Sequence, residues 1–146
     1  MEVRVMTHED YEQVYALWLS TPGMGLNNLD DSKEGIKKYL ARNPGTCFVA
    51  EIAGRIVGVI LSGHDGRRGY IHHAAVAQSQ QRQGIGAALV DAAMLALKEA
   101  GIHKVALAVF GENEKGNEFW EKQGFTMRND LVYRDKAISA LIRIDT

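Results

Sequence analysis

Ala74-Ala75-Val76-Ala77-Gln78-Ser79-Gln80-Gln81-Arg82-Gln83-Gly84-Ile85-Gly86-Ala87 is the stretch whose reading decides the fold. An apolar run passes into a polar turn, and glycines two apart open a segment of helical period with no Asp or Glu in its first turn. The first amides of a helix lack partners within it, and the helix dipole favours negative charge there. Gly84 and Gly86 withhold the Cβ atoms that would keep an anion away, and Arg82 adds a guanidinium suited to phosphate oxygens. The segment reads as a cradle for a pyrophosphate-bearing cofactor. The other use of such glycines is a tight turn with close packing of helix on sheet. Two common nucleotide motifs do not match. Gly86 is followed by Ala87-Ala88 rather than the Lys and Ser or Thr of a Walker A loop, and the cradle does not open a βαβ unit.

Upstream, Val3 and Val5 alternate with polar neighbours as a first strand. Thr7 with Asp10 resembles a capping box for a helix carrying Val14, Leu17 and Trp18, stopped at Pro22-Gly23. Residues 23–30 have no period. Asp31 with Glu34 reads as the cap of a second helix bearing Ile36, Tyr39 and Leu40, closed by Asn43-Pro44-Gly45. Residues 46–52 and 55–61 form a hairpin turned at Ala53-Gly54, residues 62–69 a glycine-rich charged turn, and 70–76 a further strand. Downstream, Leu89, Ala92, Ala93, Leu97 and Ala100 share one helical face up to Gly101. Val105, Leu107 and Val109 give another strand, and Phe119 and Trp120 lie on a short helix ending near Gly124. Residues 125–133 and 137–144 read as a closing antiparallel pair. The order is β-α-α-β-β-β-α-β-α-β-β: an α/β fold with a mixed, mostly antiparallel sheet flanked by helices, in one domain spanning 1–146.

Composition narrows the function. Among 146 residues, apolar side chains make up 46% and charged ones 24%, and 17 basic against 18 acidic groups leave a formal charge of −1. A soluble globular protein is expected, with no electrostatic pull toward nucleic acid or a membrane. Met1-Glu2-Val3-Arg4 does not resemble a signal peptide, and no apolar run nears the ~20 residues that cross a bilayer. A cytoplasmic location is expected. The single cysteine, Cys47, lies in an apolar strand and reads as a buried thiol, not a nucleophile. His64-Asp65 and His72-His73 are adjacent pairs without the spacing of a metal site, so no metal is expected.

Gln81-Arg82-Gln83-Gly84-Ile85-Gly86 resembles the cofactor signature of the Gcn5-related N-acetyltransferase superfamily: Gln or Arg, two variable residues, Gly, one variable residue, then Gly or Ala. A second signature follows about thirty residues on, in Asn113-Glu114-Lys115-Gly116-Asn117-Glu118-Phe119-Trp120-Glu121-Lys122-Gln123-Gly124-Phe125. The element order matches over essentially the whole chain. The resemblance implies acetyl-coenzyme A as cofactor, its pyrophosphate on the amides of Arg82 to Ala87 within the Gln81–Ala87 segment. It implies pairing of the pantetheine arm with backbone near Ala74 and Val76, where strands splay. Asn113 would contact the pantetheine or order its loop. The activity implied is acetyl transfer to a primary amine of a small molecule or peptide, by direct attack in a ternary complex. A catalytically weak acyl-coenzyme A sensor is the other reading, and small members often pair as homodimers through a sheet edge or helix face. Departures from the pattern are Gln78 where proline is common, Arg82 where glycine is common, Gly116 where alanine is common, and Trp120 where many members carry a proton-donating tyrosine. An indole cannot take that role. Trp120 is then a wall of the acyl or pantetheine pocket, or a core aromatic.

The amine must lose a proton before attack. Strict alternation along residues 70–76 sends Tyr70, His72, Ala74 and Val76 to one face and Ile71, His73 and Ala75 to the other. His72, with a pKa near 6.5, is the candidate base, with Tyr70 as relay and Tyr133 as an outside candidate for donor. The alternative for His72 is a sheet histidine or a substrate contact. In arylalkylamine N-acetyltransferases two histidines stand where this chain has Tyr70 and His72, so only His72 matches.

Overall fold

The computed structural model describes residues 1–144. Five strands form one sheet in the order β1 (Glu2–Val5), β2 (Phe48–Ile52), β3 (Arg55–His64), β4 (Gly69–Val76) and β5 (Val105–Leu107). All neighbours are antiparallel except β4 and β5, which run parallel. Helices α1 (Tyr11–Leu19) and α2 (Lys33–Arg42) cover one face, and α3 (Ile85–Glu99) and α4 (Glu114–Lys122) cover the other. β3 is buried over almost its whole length, and two cores form on its two sides. Val14, Trp18, Ile36 and Leu40 meet Val59 and Leu61 on the first. Ile85, Leu89 and Ala93 meet Ala50, Ile60 and Ile71 on the second. This is a layered helix–sheet–helix arrangement around shared apolar faces. Among the described residues no helix is long and apolar enough to cross a membrane.

Several boundaries move for physical reasons. Asp10 does accept the Thr7 amide at 2.9 Å, and the first turn is a 3-10 turn, His8–Asp10, ahead of α1. The cap of α2 is Ser32, whose hydroxyl accepts the Gly35 amide at 3.0 Å, and this releases Asp31 for another use. β3 runs on through Ser62 and Gly63, where Ser62 Oγ donates to the Thr46 carbonyl and Thr46 Oγ1 donates to the Ser62 carbonyl at 2.6 Å. The expected 62–69 turn therefore shrinks to 65–68.

The closing pair over 125–133 and 137–144 does not form. Its backbone bonds instead to the loop after α1: the Asn28 amide donates to the Ile142 carbonyl at 3.0 Å, and the Ile144 amide to the Leu26 carbonyl at 2.9 Å. Met127, Leu131, Val132, Ile138 and Ile142 are exposed, so the apolar alternation has no face to pack on. Strand preference of that kind depends on a surface to cover.

Candidate active site

Two features of β4 shape the site. Its pairing with β5 is only three residues long and ends at Ile71 opposite Leu107, so the β4 edge from His72 to Val76 has no strand partner on that side among the described residues. Here the sheet splays, beside the start of α3. The second feature is a bulge. Leu61 pairs with His72 and Val59 with Ala75, so two residues, His73 and Ala74, face Ile60 alone. His73 takes a left-handed φ of 48°. For a non-glycine residue this stores on the order of 1–3 kcal/mol, held in place by surrounding contacts.

The bulge overturns strict alternation along the strand. Ala74 and Val76 pack on the α3 side, while Ala75 joins the α1–α2 core. His72 does not share its face with Ala74. Its ring lies 4.5 Å from that of Tyr70 and 5.9 Å, edge-on, from that of Tyr39 on α2. His73 is on the same α1–α2 side, 5.2 Å from the Trp18 ring and 6.1 Å from His72. Both histidines thus sit together. His72 keeps contact with solvent but is crowded on its other sides; desolvation, then repulsion by His73, lowers its pKa below 6.5, against the pull of Asp31 and Asp30. Neutral imidazole therefore dominates at pH 7. The Tyr70 phenol is pushed above 10 by desolvation and by Tyr133, which places Tyr133 within electrostatic reach despite its exposed side chain. Burial pushes Tyr39 up as well.

His73 and Asp31 have a direct bond that the sequence did not suggest. His73 Nε2 lies 2.8 Å from Asp31 Oδ1, and the Asp31 side chain is only 4% exposed. A buried carboxylate needs such a partner. Strict alternation would put His73 on the face away from His72, and no motif announces Tyr39 or the Asp31–His73 pair. The signal for Asp31 was the neighbouring Ser32, which is as good a cap and left the aspartate without a local role.

At the splayed end, Gly84 is the N-cap of α3 with φ 81°, and Arg82 precedes it with φ 65°. The first intrahelical bond is from the Ala88 amide to the Gly84 carbonyl at 3.0 Å, so the amides of Ile85, Gly86 and Ala87 have no acceptor within the helix. No acidic side chain lies in the first turn and no side chain caps it. A Cβ at Gly84 would meet open space. Arg82 forms no ion pair among the described residues, and Gln81 Nε2 donates to the Val76 carbonyl at 3.2 Å, closing the turn. Gln83 is exposed on the same loop. These residues fit the pyrophosphate of an acyl-coenzyme A. Gly86 has a further role: a Cβ there would come within 3.0 Å of the Phe119 ring, so its absence also permits α4 to pack on α3.

Asn113 caps α4, its Oδ1 accepting the Gly116 amide at 2.9 Å. A Cβ at position 116 would come within 2.4 Å of that carboxamide, so an alanine there would shift the capping side chain. Trp120 lies edge-on between Phe119 and Phe125, at 5.0 and 5.3 Å, packed on the α3 core. Cys47 is 1% exposed with its thiol pushed up to about 12 by burial, so it is no nucleophile. A cavity of about 360 Å³ among Arg42, Thr46, His64 and Glu99 lies at the other end of β3 and meets none of these groups.

A mixed sheet that opens beside an uncapped, glycine-led helix offers room for an extended, anion-bearing molecule. The chain belongs to the Acetyltransferase (GNAT) family, which matches residues 11–125, and it is an acetyltransferase. Acetyltransferase SG1711 of Sodalis glossinidius is 32% identical over 138 residues, covering 94% of this chain and 96% of that protein. Ard1 of Thermoplasma volcanium superposes with a TM-score of 0.78 at 25% identity, covering 87% of this chain and 83% of that one. AAC(6')-Iy, solved with the bisubstrate analog CoA-S-monomethyl-acetylneamine, shares the fold with a TM-score of 0.74 at 16% identity, over 93% and 97% of the two chains.

Proposed function

We propose that residues 1–146 act as one domain that transfers the acetyl group of acetyl-coenzyme A to a primary amine of a small molecule or peptide. The observation that carries this is the juxtaposition of the uncapped α3 start, the unpaired β4 edge from His72 to Val76, and the solvent-accessible, neutral His72. The amides of Ile85, Gly86 and Ala87, with Arg82, would hold the pyrophosphate, and the backbone near Ala74 and Val76 would order the pantetheine. Bound there, the cofactor supplies an activated acyl carbonyl and a thiolate leaving group. His72 takes the proton of the amine, directly or through a water, and Tyr70 lines the same face. Tyr133 or water returns a proton to the thiolate, since Trp120 has none to give. Asn113 orders the loop ahead of α4. The bisubstrate analogue held by AAC(6')-Iy joins coenzyme A to an amine-derived acceptor, which supports the ternary arrangement. We infer that this chain acts in the cytoplasm.

The test is turnover of acetyl-coenzyme A against a panel of small amines and peptides, read as thiol release. Thiol release with at least one amine is expected. Tight cofactor binding without release across the panel would instead favour an acyl-coenzyme A sensor, the reading that Trp120 supports.

Association as a homodimer is also inferred. The outer edge of β5 has no strand neighbour among the described residues, and the apolar side chains of residues 127–144 are exposed on the same chain. Each copy therefore offers both an open edge and a strand-prone segment, the requirement for a closed two-fold pair. Sedimentation should give a dimer at micromolar concentration. A monomer throughout that range would overturn the inference.

A further inference from the structure

Asp31 is tied at three points. Its Oδ1 meets His73 Nε2 at 2.8 Å, its Oδ2 accepts the Asn27 amide at 2.8 Å, and its carbonyl accepts the Tyr11 hydroxyl at 2.7 Å. These bonds join the bulge of β4, the loop between α1 and α2, and α1 itself. Asn27 carries the order further, its Oδ1 accepting the amides of Leu29 and Asp30 at 2.9 and 2.8 Å. On the sheet side the strained His73 is held a second time, by the Trp18 indole N–H on its carbonyl at 3.0 Å. The loop that borders the His72 face is thus fastened to the residue next to His72.

We propose that Asp31 and His73 form a loop-to-sheet clasp that positions the amine acceptor against His72. The clasp requires neither residue to be the base. With a carboxylate 2.8 Å away, Nε2 of His73 carries a proton and donates it, so that nitrogen is committed and cannot accept the substrate's proton. The clasp instead sets the distance between the loop and the His72 ring, 6.1 Å from its own. Without it the loop side of the acceptor site is free to move away from the ring, which weakens binding of the amine in ground state and transition state alike. The strained φ at His73 is the backbone cost of aiming two consecutive side chains to one face. This inference rests on the reading that His72 faces the acceptor.

The test uses His73→Ala, His73→Gln and Asp31→Ala in the full chain, with an amine that the wild type turns over. A glutamine can place its amide nitrogen where Nε2 stands, so it keeps the bond without the ring. The expected result for H73A is an amine KM raised ~10-fold or more, with kcat and coenzyme A affinity within a few-fold of wild type. H73Q should recover most of that KM. D31A should behave as H73A does, because it removes both carboxylate oxygens that hold His73 and Asn27, and it serves if H73A does not fold. In both clasp-breaking variants the amides of residues 27–31 should exchange hydrogen faster while those of 85–90 do not. A parallel fall in kcat, amine binding and coenzyme A binding would overturn the clasp and leave a merely structural contact. So would an unchanged amine KM. Loss of the acidic limb of the pH profile in H73A but not in H72A would overturn it differently, by making His73 the base. If H72A alone leaves the wild-type profile intact while H73A raises KM, the base assignment fails and the clasp stands.

Discussion

Replacing His72 with alanine should lower kcat/KM ~100-fold or more, about 2.7 kcal/mol of transition-state stabilisation, with coenzyme A affinity nearly unchanged. The imidazole lies on the α1–α2 side beside Tyr70 and Tyr39, whereas the anion cradle is at the start of α3. Loss of the ring therefore leaves the cofactor's contacts in place. The pH dependence carries the sign. His72 works as a base only when neutral, and desolvation together with His73 lowers its pKa below 6.5. Wild-type activity should accordingly be full at pH 7 and fall as the pH drops through that lowered value. H72A should have lost this limb. A mutant profile superimposable on the wild type would remove His72 from the mechanism and leave capture of the neutral amine from solution.

At the cofactor end, Gly86→Glu should weaken coenzyme A binding ~100-fold or more, with Gly86→Ala as its control. A Cβ at this position meets the Phe119 ring at 3.0 and 3.1 Å, so any side chain there strains the contact between α3 and α4. Alanine isolates that packing effect, of the order of 1–3 kcal/mol in stability. Glutamate adds a carboxylate beside the amides of Ile85, Gly86 and Ala87, where the helix dipole and Arg82 favour an anion and the pyrophosphate would compete for them. Calorimetry on folded samples separates the two effects. G86A should bind within a few-fold of wild type and G86E should not bind measurably. Equal loss in both variants would mean that the glycine serves packing alone and that the pyrophosphate lies elsewhere.

What could be read from the chain beforehand was what local chemistry determines. The period of Leu89, Ala93 and Leu97, the glycines before them and the turn at Ala53-Gly54 each declare an element without reference to distant residues. The cradle belonged to this class, because an uncapped helix start is a local property. The bulge did not. Nothing in Tyr70-Ile71-His72-His73-Ala74 announces that His73 adopts a positive φ, since the cause is Trp18 and Asp31, 55 and 42 positions away. One inserted residue reversed the parity of Ala74 and brought His73 beside His72. Asp31 was misread because two neighbouring residues could cap α2 and the hydroxyl of Ser32 took the task. Over residues 125–144 the alternation was real, but alternation does not name a partner, and the backbone found Leu26 and Asn28. The double duty of Gly86 likewise required Phe119 to be in place.

The burial of Cys47 has a practical side. It is the chain's single cysteine, 1% exposed, with a thiol that burial pushes up to about 12. Thiol-specific dyes and alkylating probes react with thiolates they can reach, and this sulfur offers them neither access nor charge. A colorimetric reagent can therefore stay in the cuvette throughout a reaction without marking the protein. The thiols it counts then come from coenzyme A and not from the protein, and a search for the acceptor needs only the acceptor-free reaction as its blank.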